Sequence, residues 1–297
     1  MNLDSFIRQH GLPSVFAESA DQCYLPFAEW LEAQLARHKG SGFVLGINGA
    51  QGTGKSTLAA LLREYLEQEH GRRVVILSID DLYLTLAERE ALGRDVHPLL
   101  RTRGVPGTHD VALGLSIIEQ LKTLKAGDSV QVPRFDKSRD DRYPPAEWST
   151  ISGPVDLIIF EGWCVASQAV PEAELKKPVN ELESAQDKDG RWRSYVNDRL
   201  ATDYKRLFAC LDALLFLQVP DFGAVRRWRI EQEHKLRQRS DVNANAIMSD
   251  AEVASFIRYY ERITRNNIDV LPTLANAVIR LDDNHQPVSL SFPRSKC

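Results

Sequence analysis

The sequence is poor in cysteine and has no long apolar run. Its four cysteines, Cys23, Cys164, Cys210 and Cys297, are scattered over 297 residues without metal-type spacing. Reduced thiols in a cytosolic protein therefore fit this pattern better than a disulfide framework or a zinc site. Because no stretch reaches the length of a signal peptide or a membrane span, we expect a soluble, cytoplasmic protein with no membrane partner.

The sequence also lacks a strong excess of charge of either sign. Lys and Arg total 37 against 41 Asp and Glu, which gives a net charge of −4 at pH 7. This balance does not indicate nucleic acid or an anionic surface as a partner. There is no internal repeat and no low-complexity tract. The length allows a substantial core, and we expect one domain over residues 1–297, with insertions.

A glycine-rich segment lies between a strand pattern and a helix pattern. Residues 43–47 are apolar and of strand length, and leucines repeat at helical spacing after residue 57. The segment reads Gly49-Ala50-Gln51-Gly52-Thr53-Gly54-Lys55-Ser56-Thr57. Backbone N–H groups of such a loop surround phosphate oxygens, and the following helix adds the positive end of its dipole. An incidental glycine-rich turn is the alternative, but it would not require this strand and helix.

We therefore predict that residues 49–57 form a phosphate-binding loop, called the P-loop below, for ATP. Lys55 can reach the β and γ phosphates, and the Ser56 hydroxyl can bind Mg²⁺.

Apolar runs of strand length alternate with helical patterns along the chain. The predicted strands cover residues 43–47, 74–79, 155–160, 213–219 and, more weakly, 278–281. This alternation predicts an α/β fold of three layers, the P-loop NTPase fold, with a mostly parallel sheet flanked by helices. Residues 1–41 form a helical lead-in, residues 134–150 a polar loop, and residues 165–200 an insertion whose role the sequence does not disclose.

Acidic residues end two of the predicted strands. Asp80 and Asp81 follow the second strand and Glu161 follows the third. Ligands of parallel sheets collect at the carboxyl ends of strands, so one aspartate is a candidate general base. Glu161 stands where an acid can orient Mg²⁺. Alternatively, the two aspartates cap the next segment, and Glu161 pairs with an arginine.

Basic side chains occupy two loops near the same strand ends. Arg101, Arg103, His109 and Arg134 belong to these loops. A guanidinium can hold a carboxylate in bidentate geometry, so these residues indicate an anionic small-molecule acceptor. Solvated surface charge stays an alternative for each arginine, and a structural hydrogen bond for His109.

An arginine-rich helix is predicted after the fourth strand, within residues 222–248. Arg226 and Arg229 share a helix face by their spacing. We interpret the region as a lid that closes over ATP and brings an arginine to the transferring phosphate, with the choice of arginine left open. A solvated helix face is the alternative. Binding of nucleic acid is a weaker interpretation, because Glu231 and Glu233 interrupt the basic patch.

Four sequence blocks, taken together with the P-loop, resemble the glycerate 3-kinase family. This family is related to uridine kinase, phosphoribulokinase and bacterial pantothenate kinase. The blocks are Ser78-Ile79-Asp80-Asp81-Leu82-Tyr83-Leu84-Thr85, Arg103-Gly104-Val105-Pro106-Gly107-Thr108-His109-Asp110, Pro133-Arg134-Phe135-Asp136-Lys137-Ser138 and Phe160-Glu161-Gly162-Trp163.

The resemblance implies ATP-dependent phosphorylation of a primary hydroxyl, and in the glycerate branch D-glycerate becomes 3-phosphoglycerate. It implies that Asp80 is the base, that residues 133–142 bind the acceptor, and that the arginine helix is the lid. The expected catalytic residues are Asp80, Lys55, Arg226 and Arg229. The expected acceptor-binding residues are Asp81, Tyr83, Arg103, His109, Arg134 and Asp136. The expected metal-binding residues are Ser56, Glu161 and Asp80.

Two other functions stay open at this point. One is a kinase for a different small acceptor, such as pantothenate or a nucleoside. The other is a regulatory ATPase switched by its nucleotide, although the Asn-Lys-x-Asp element of GTPases does not occur. The sequence makes no prediction of oligomeric state.

Overall fold

A computed structural model describes residues 1–40, 42–237 and 248–293. Residues 238–247 of the predicted lid region, with Arg239 among them, and Cys297 lie outside the described residues.

A mixed sheet of six strands is the centre of the fold. The strands of the protein are β1 (Phe43–Gly49), β2 (Val74–Ser78), β3 (Ser129–Val132), β4 (Phe135–Asp136), β5 (Asp141–Arg142), β6 (Ser149–Ser152), β7 (Leu157–Gly162), β8 (Ala213–Gln218), β9 (Ala277–Leu281) and β10 (Pro287–Ser291). The central sheet has the order β10-β9-β8-β1-β7-β2. All its neighbours pair in parallel except β9 and β10. The predicted mostly parallel sheet is confirmed, and the antiparallel edge strand β10 was not predicted.

Helices cover both faces of this sheet. They are α1 (Leu3–Gln9), α2 (Phe16–Ser19), α3 (Leu25–Arg37), α4 (Lys55–His70), α5 (Leu86–Asp95), α6 (Val111–Thr123), α7 (Glu172–Leu175), α8 (Glu181–Gln186), α9 (Arg191–Arg199), α10 (Lys205–Phe208), α11 (Phe222–Arg237), α12 (Asp250–Ile257) and α13 (Glu261–Leu274). Short 3₁₀ segments include Ile79–Leu82, Pro98–Arg101 and Pro145–Glu147. None of the described helices is both long and apolar enough to cross a membrane.

Separate hydrophobic cores flank the sheet because successive strand residues face opposite sides. Leu45 of β1 packs in the core that includes helices α3, α4 and α11, whereas Val44 packs in the core beneath α6. In β7, Ile159 packs in the first of these cores and Ile158 in the second. Strands buried on both faces read as continuous apolar runs, which is why the sequence pattern located them.

The observed helices and strands differ in extent from the predicted ones where contacts between distant residues determine the structure. Asp110 caps α6, since its carboxylate accepts the Leu113 N–H at 3.0 Å. The helix ends at Thr123. The predicted polar loop at 134–150 contains the two-stranded β4–β5 hairpin and the first half of β6, which pairs with β3.

The segment predicted as an insertion folds into helices α7 to α9 around a buried carboxylate. Asp187 accepts hydrogen bonds from the backbone N–H groups of Trp192 at 2.8 Å and Arg193 at 3.2 Å. The Arg193 guanidinium donates to the same carboxylate at 2.8 Å. Nearby, Arg262 of α13 donates to Glu183 of α8 at 2.6 Å, which fixes the segment to the main domain. These buried charges serve packing and lie away from the P-loop.

Asp187→Ala should therefore lower the free energy of unfolding strongly. The substitution leaves the Arg193 charge buried without its partner, which costs about 3 kcal/mol or more. Urea denaturation measures the change, and Asp198→Ala on the exposed face of α9 is the matched control, expected to stay within about 0.5 kcal/mol of the parent protein. Equal stability of the two variants would contradict a structural role for Asp187.

Candidate active site

The P-loop connects the end of β1 to the start of α4. Gly52 and Gly54 adopt left-handed φ values of +82° and +83°. The Thr53 hydroxyl donates to the Ala50 carbonyl at 2.9 Å and closes the loop. A side chain at Gly49 would meet the Thr53 hydroxyl at 2.6 Å, so the loop is compact because its residues are small. This is the local geometry in which backbone N–H groups can surround phosphate oxygens.

Lys55 and Ser56 begin α4 and face the acid at the end of β7. Lys55 Nζ donates to the Ala50 carbonyl at 3.0 Å. Loss of hydration lowers the pKa of Lys55, although the charges of Glu161 and Asp80 favour its ammonium form. The Ser56 hydroxyl donates to Glu161 Oε1 at 3.2 Å. Hydroxyl and carboxylate oxygens are the ligands that Mg²⁺ prefers, so this oxygen pair fits the predicted metal site.

Asp80 lies in the 3₁₀ segment after β2, and both of its carboxylate oxygens are hydrogen-bonded. Tyr83 donates to Oδ1 at 2.9 Å, and Lys137 donates to Oδ2 at 2.7 Å. Burial is the largest single influence and would raise the pKa of Asp80, but the charge and hydrogen bond of Lys137, together with smaller contributions from His109 and Tyr83, outweigh it, and the pKa lies below its ordinary value. Asp80 is therefore a carboxylate at neutral pH and can accept a proton.

Asp81 has a different environment although it is the next residue. Its carboxylate accepts the backbone N–H of Phe135 at 3.1 Å, which fastens the β4–β5 hairpin to the end of β2. Burial raises the pKa of Asp81 to about 6. Asp81 also faces the cleft described below, so it has both a structural contact and access to a ligand.

His109 lies behind Tyr83 and is buried. Its ring stacks on Tyr83 with a centroid distance of 4.5 Å, and its Nδ1 lies 2.5 Å from the Tyr204 hydroxyl. Burial lowers the pKa of His109 to about 3. A neutral imidazole supplies no positive charge to an anionic acceptor, so the contacts of His109 favour its role in holding Tyr83.

The predicted acceptor-binding side chains do not all converge. Arg103 faces the cleft and pairs with Asp140. Arg134 is exposed and lies over the Tyr143 ring, 5.1 Å from its centroid. Asp136 accepts the Ser138 N–H at 2.9 Å. Local partners on the hairpin thus hold Arg134 and Asp136 outside the cleft lining.

The two arginines predicted as catalytic point in different directions on α11. Arg229 faces the cleft, pairs with Glu233 and donates to Gln232 Oε1 at 2.9 Å. Arg226 is exposed and does not line the cleft. Within the part of α11 that the structure describes, Arg229 is therefore placed better than Arg226 to reach a phosphate.

A cleft of about 550 Å³ opens at the carboxyl edge of the sheet, and we call it the P-loop cleft. Its lining comprises Gln51, Gly52, Lys55, Ser56, Ser78, Asp80, Asp81, Tyr83, Arg103, Lys137, Glu161, Gly162, Trp163, Arg229, Gln232, Phe256 and Tyr260. Sequence reasoning missed Lys137, Trp163, Phe256 and Tyr260. Lys137 and Trp163 lie within two of the four blocks, which was the available signal. Nothing in the local pattern around Phe256 or Tyr260 indicates a site.

A second cavity of about 370 Å³ lies on the other side of the P-loop. One wall consists of the P-loop residues Gly52, Thr53, Gly54 and Thr57. Leu12, Pro13 and Phe16 of the N-terminal lead-in supply another, and the turn between β9 and β10 closes it through Asp283 to Gln286. Sequence reasoning did not predict that the lead-in lies beside the P-loop.

A P-loop at the end of β1, with acids at the ends of β2 and β7, defines a P-loop phosphotransferase. The sequence profile of the phosphoribulokinase / uridine kinase family matches residues 44–170. The uncharacterized kinase mug58 of Schizosaccharomyces pombe is 34% identical over 88% of this chain and 95% of its own length. The chloroplastic D-glycerate 3-kinase of Arabidopsis thaliana is 33% identical over 80% of this chain, which is 52% of the plant protein.

A solved structure gives the same result. D-glycerate 3-kinase from Cryptococcus neoformans var. grubii superposes with a TM-score of 0.75 at 28% identity, covering 91% of this chain and 98% of that one. The chain belongs to the family of P-loop kinases that includes mug58 and is a phosphotransferase with an alcohol group as acceptor.

Because His109 is buried and neutral, we expect the free energy of unfolding to depend on pH. Its pKa falls from 6.5 in the unfolded chain to about 3 in the folded protein. As the pH drops below 6.5, only the unfolded chain takes up this proton, so stability is lost by up to about 1.4 kcal/mol per pH unit. His109→Asn removes this contribution and should give a flatter dependence of unfolding free energy on pH, measured by urea denaturation. Parallel curves for the two proteins would contradict the assignment.

Proposed function

We propose that this protein transfers the γ-phosphoryl group of ATP to the primary hydroxyl of a hydroxy acid, D-glycerate, and forms 3-phosphoglycerate. The observation that carries the proposal is the convergence of Lys55, Ser56, Glu161 and Asp80 on one cleft. The relatives named as D-glycerate 3-kinases support the choice of acceptor.

The chemistry requires a base, a positioned phosphate and charge compensation. Asp80 accepts the proton of the acceptor hydroxyl while the hydroxyl oxygen bonds to the γ phosphorus. The bond from that phosphorus to the bridging oxygen of ADP breaks, and ADP leaves with the electron pair. Lys55 and the P-loop N–H groups balance the negative charge that moves onto the phosphate oxygens.

Ser56 and Glu161 would hold Mg²⁺, which supplies further positive charge to the phosphate oxygens when it is bound. Both carboxylate oxygens of Asp80 accept hydrogen bonds from the protein, so we assign Asp80 to proton transfer rather than to the metal. Arg229 of α11 lines the same cleft. We assign Arg229 rather than Arg226 to contact with the transferring phosphate, since its guanidinium faces the cleft.

The cavity behind the P-loop is our assignment for the nucleoside of ATP. It shares Gly52 with the P-loop cleft, so one loop separates the two cavities. Phosphates bound by the loop can therefore connect a nucleoside on one side to the reacting γ phosphate on the other. The apolar side chains of Leu12, Pro13 and Phe16 offer a surface on which a base can pack.

A panel of acceptors tests the substrate. With Mg²⁺ and ATP, we expect ADP release with D-glycerate well above that with L-glycerate, pantothenate, uridine or ribulose 5-phosphate, as measured by a coupled assay. Little ADP should form when no acceptor is added. Release that does not depend on an acceptor would favour a regulatory ATPase, and turnover with another member of the panel would reassign the acceptor.

Asp80→Asn tests the base. Loss of a general base should lower kcat by about a thousandfold, whereas the affinity for ATP should change little, because the P-loop is untouched. Coupled ADP release gives kcat, and nucleotide titration of the purified protein gives the affinity.

Asp81→Asn is the matched control for this experiment. Its carboxylate accepts the Phe135 N–H. Because Asp81 also faces the cleft, its loss can raise KM for the acceptor, but most of kcat should survive. If Asp81→Asn loses as much activity as Asp80→Asn, or if Asp80→Asn turns over like the parent protein, the base assignment fails.

A further inference from the structure

Both carboxylate oxygens of Asp80 already accept a hydrogen bond from the protein, although a general base must accept one from its substrate. Tyr83 donates to Oδ1 and Lys137 donates to Oδ2. Each oxygen keeps a second lone pair, but a carboxylate that is paired with an ammonium group is a weaker base. Asp80 therefore deprotonates an acceptor hydroxyl best after one of these two donors moves aside. The two donors differ strongly in how firmly they are held.

Tyr83 is fixed in place. It is 4% exposed and lies between the stacked ring of His109 and an edge contact with Phe135, at centroid distances of 4.5 and 5.2 Å. Its backbone carbonyl also accepts the Arg142 guanidinium at 2.9 Å. These contacts hold the ring on several sides.

Lys137, in contrast, is 62% exposed. It follows β4 on the β4–β5 hairpin and reaches Asp80 with a long, flexible side chain across the mouth of the cleft. A lysine of this kind can exchange one anionic partner for another at little cost, because its stem is not packed. Lys137 is therefore the donor that can leave.

We infer that Lys137 masks Asp80 until an anionic acceptor enters, and then transfers its ammonium group to the acceptor carboxylate and frees Oδ2 for the hydroxyl proton. This inference rests on the proposed function, since it concerns the same cleft. It makes Lys137 an acceptor-binding residue that selects hydroxy acids over uncharged alcohols.

The neighbouring charges of the hairpin support this exchange. Asp136 pairs with Arg139 at 3.0 Å, and Asp140 pairs with Arg89 at 3.1 Å and with Arg103. The carboxylates beside Lys137 therefore already have cationic partners. Within the P-loop cleft, Lys137 bonds to the carboxylate that must react.

The carboxylate of a short hydroxy acid lies close to its terminal hydroxyl. When that hydroxyl approaches Asp80, the carboxylate comes within reach of the ammonium group that Asp80 releases. An uncharged alcohol offers no such partner, so it must separate Lys137 from Asp80 without compensation. While Lys137 masks Asp80, we expect water to be a poor acceptor in the absence of the hydroxy acid.

The first arm of the test uses no acceptor. In Lys137→Met, water can reach Oδ2, attack the γ phosphorus and give ADP and phosphate while Asp80 takes the proton of the water. We expect acceptor-free ATP hydrolysis to rise by about tenfold, a small part of what a general base contributes. Lys125→Met, an exposed lysine far from the cleft, should hydrolyse ATP like the parent protein.

The second arm compares D-glycerate with its uncharged amide. The parent protein should prefer the acid in kcat/KM, and Lys137→Met should reduce that preference by about tenfold or more, the effect of one charge-assisted hydrogen bond. Lys137→Arg should retain part of the preference, because it keeps the charge. The Lys125→Met control should retain all of it.

Each arm has an outcome that overturns the inference. Masking fails if Lys137→Met leaves acceptor-free hydrolysis unchanged, or if the added hydrolysis persists when Asp80→Asn is combined with it. Carboxylate recognition fails if Lys137→Met keeps the full preference for the acid over the amide. If the parent protein does not phosphorylate D-glycerate, the proposed function fails instead, and the first arm still decides whether Lys137 masks Asp80.

Discussion

The parallel pairing of β1 between β7 and β8 is the constraint on which the site depends. Its register places Ile47 opposite Glu161 and Asn48 opposite Gly162. The P-loop therefore begins beside the end of β7, where Glu161 lies. The first turn of α4 places the Ser56 hydroxyl 3.2 Å from Glu161 Oε1. A shift of this register would separate the loop from the carboxylate even if every local element still formed.

The same sheet explains why the charged groups gather at one edge. The strands are buried on both faces, and an ionised side chain in the middle of such a strand would lose its hydration without a partner. At the carboxyl edge, each acid finds a polar partner instead. Each carboxylate accepts a hydrogen bond: Glu161 from the Ser56 hydroxyl, Asp81 from the Phe135 N–H, and Asp80 from the Lys137 ammonium group. Stability of the sheet and placement of the reacting groups thus have one physical cause.

The sequence predicted the parts of this arrangement that local pattern determines. Buried strands and the glycine-rich connection are visible because their periodicity and residue types are tied to backbone geometry. The directions that side chains take on irregular segments are not visible in the sequence pattern. Arg134 and Arg226 carry the expected charge at the expected place in the chain, but Arg134 lies over Tyr143 and Arg226 is exposed. Such choices depend on neighbours that are distant in sequence.

Asp80 and Asp81 show this limit most clearly, since spacing alone cannot separate adjacent acids. The 3₁₀ turn after β2 directs one carboxylate to the hairpin backbone and the other to a hairpin side chain. The backbone contact is fixed, so it sets the position of the hairpin relative to the sheet. The side-chain contact is exposed and exchangeable, so it can respond to what enters the cleft. One turn therefore both anchors the β4–β5 hairpin and makes the reacting carboxylate sensitive to the acceptor.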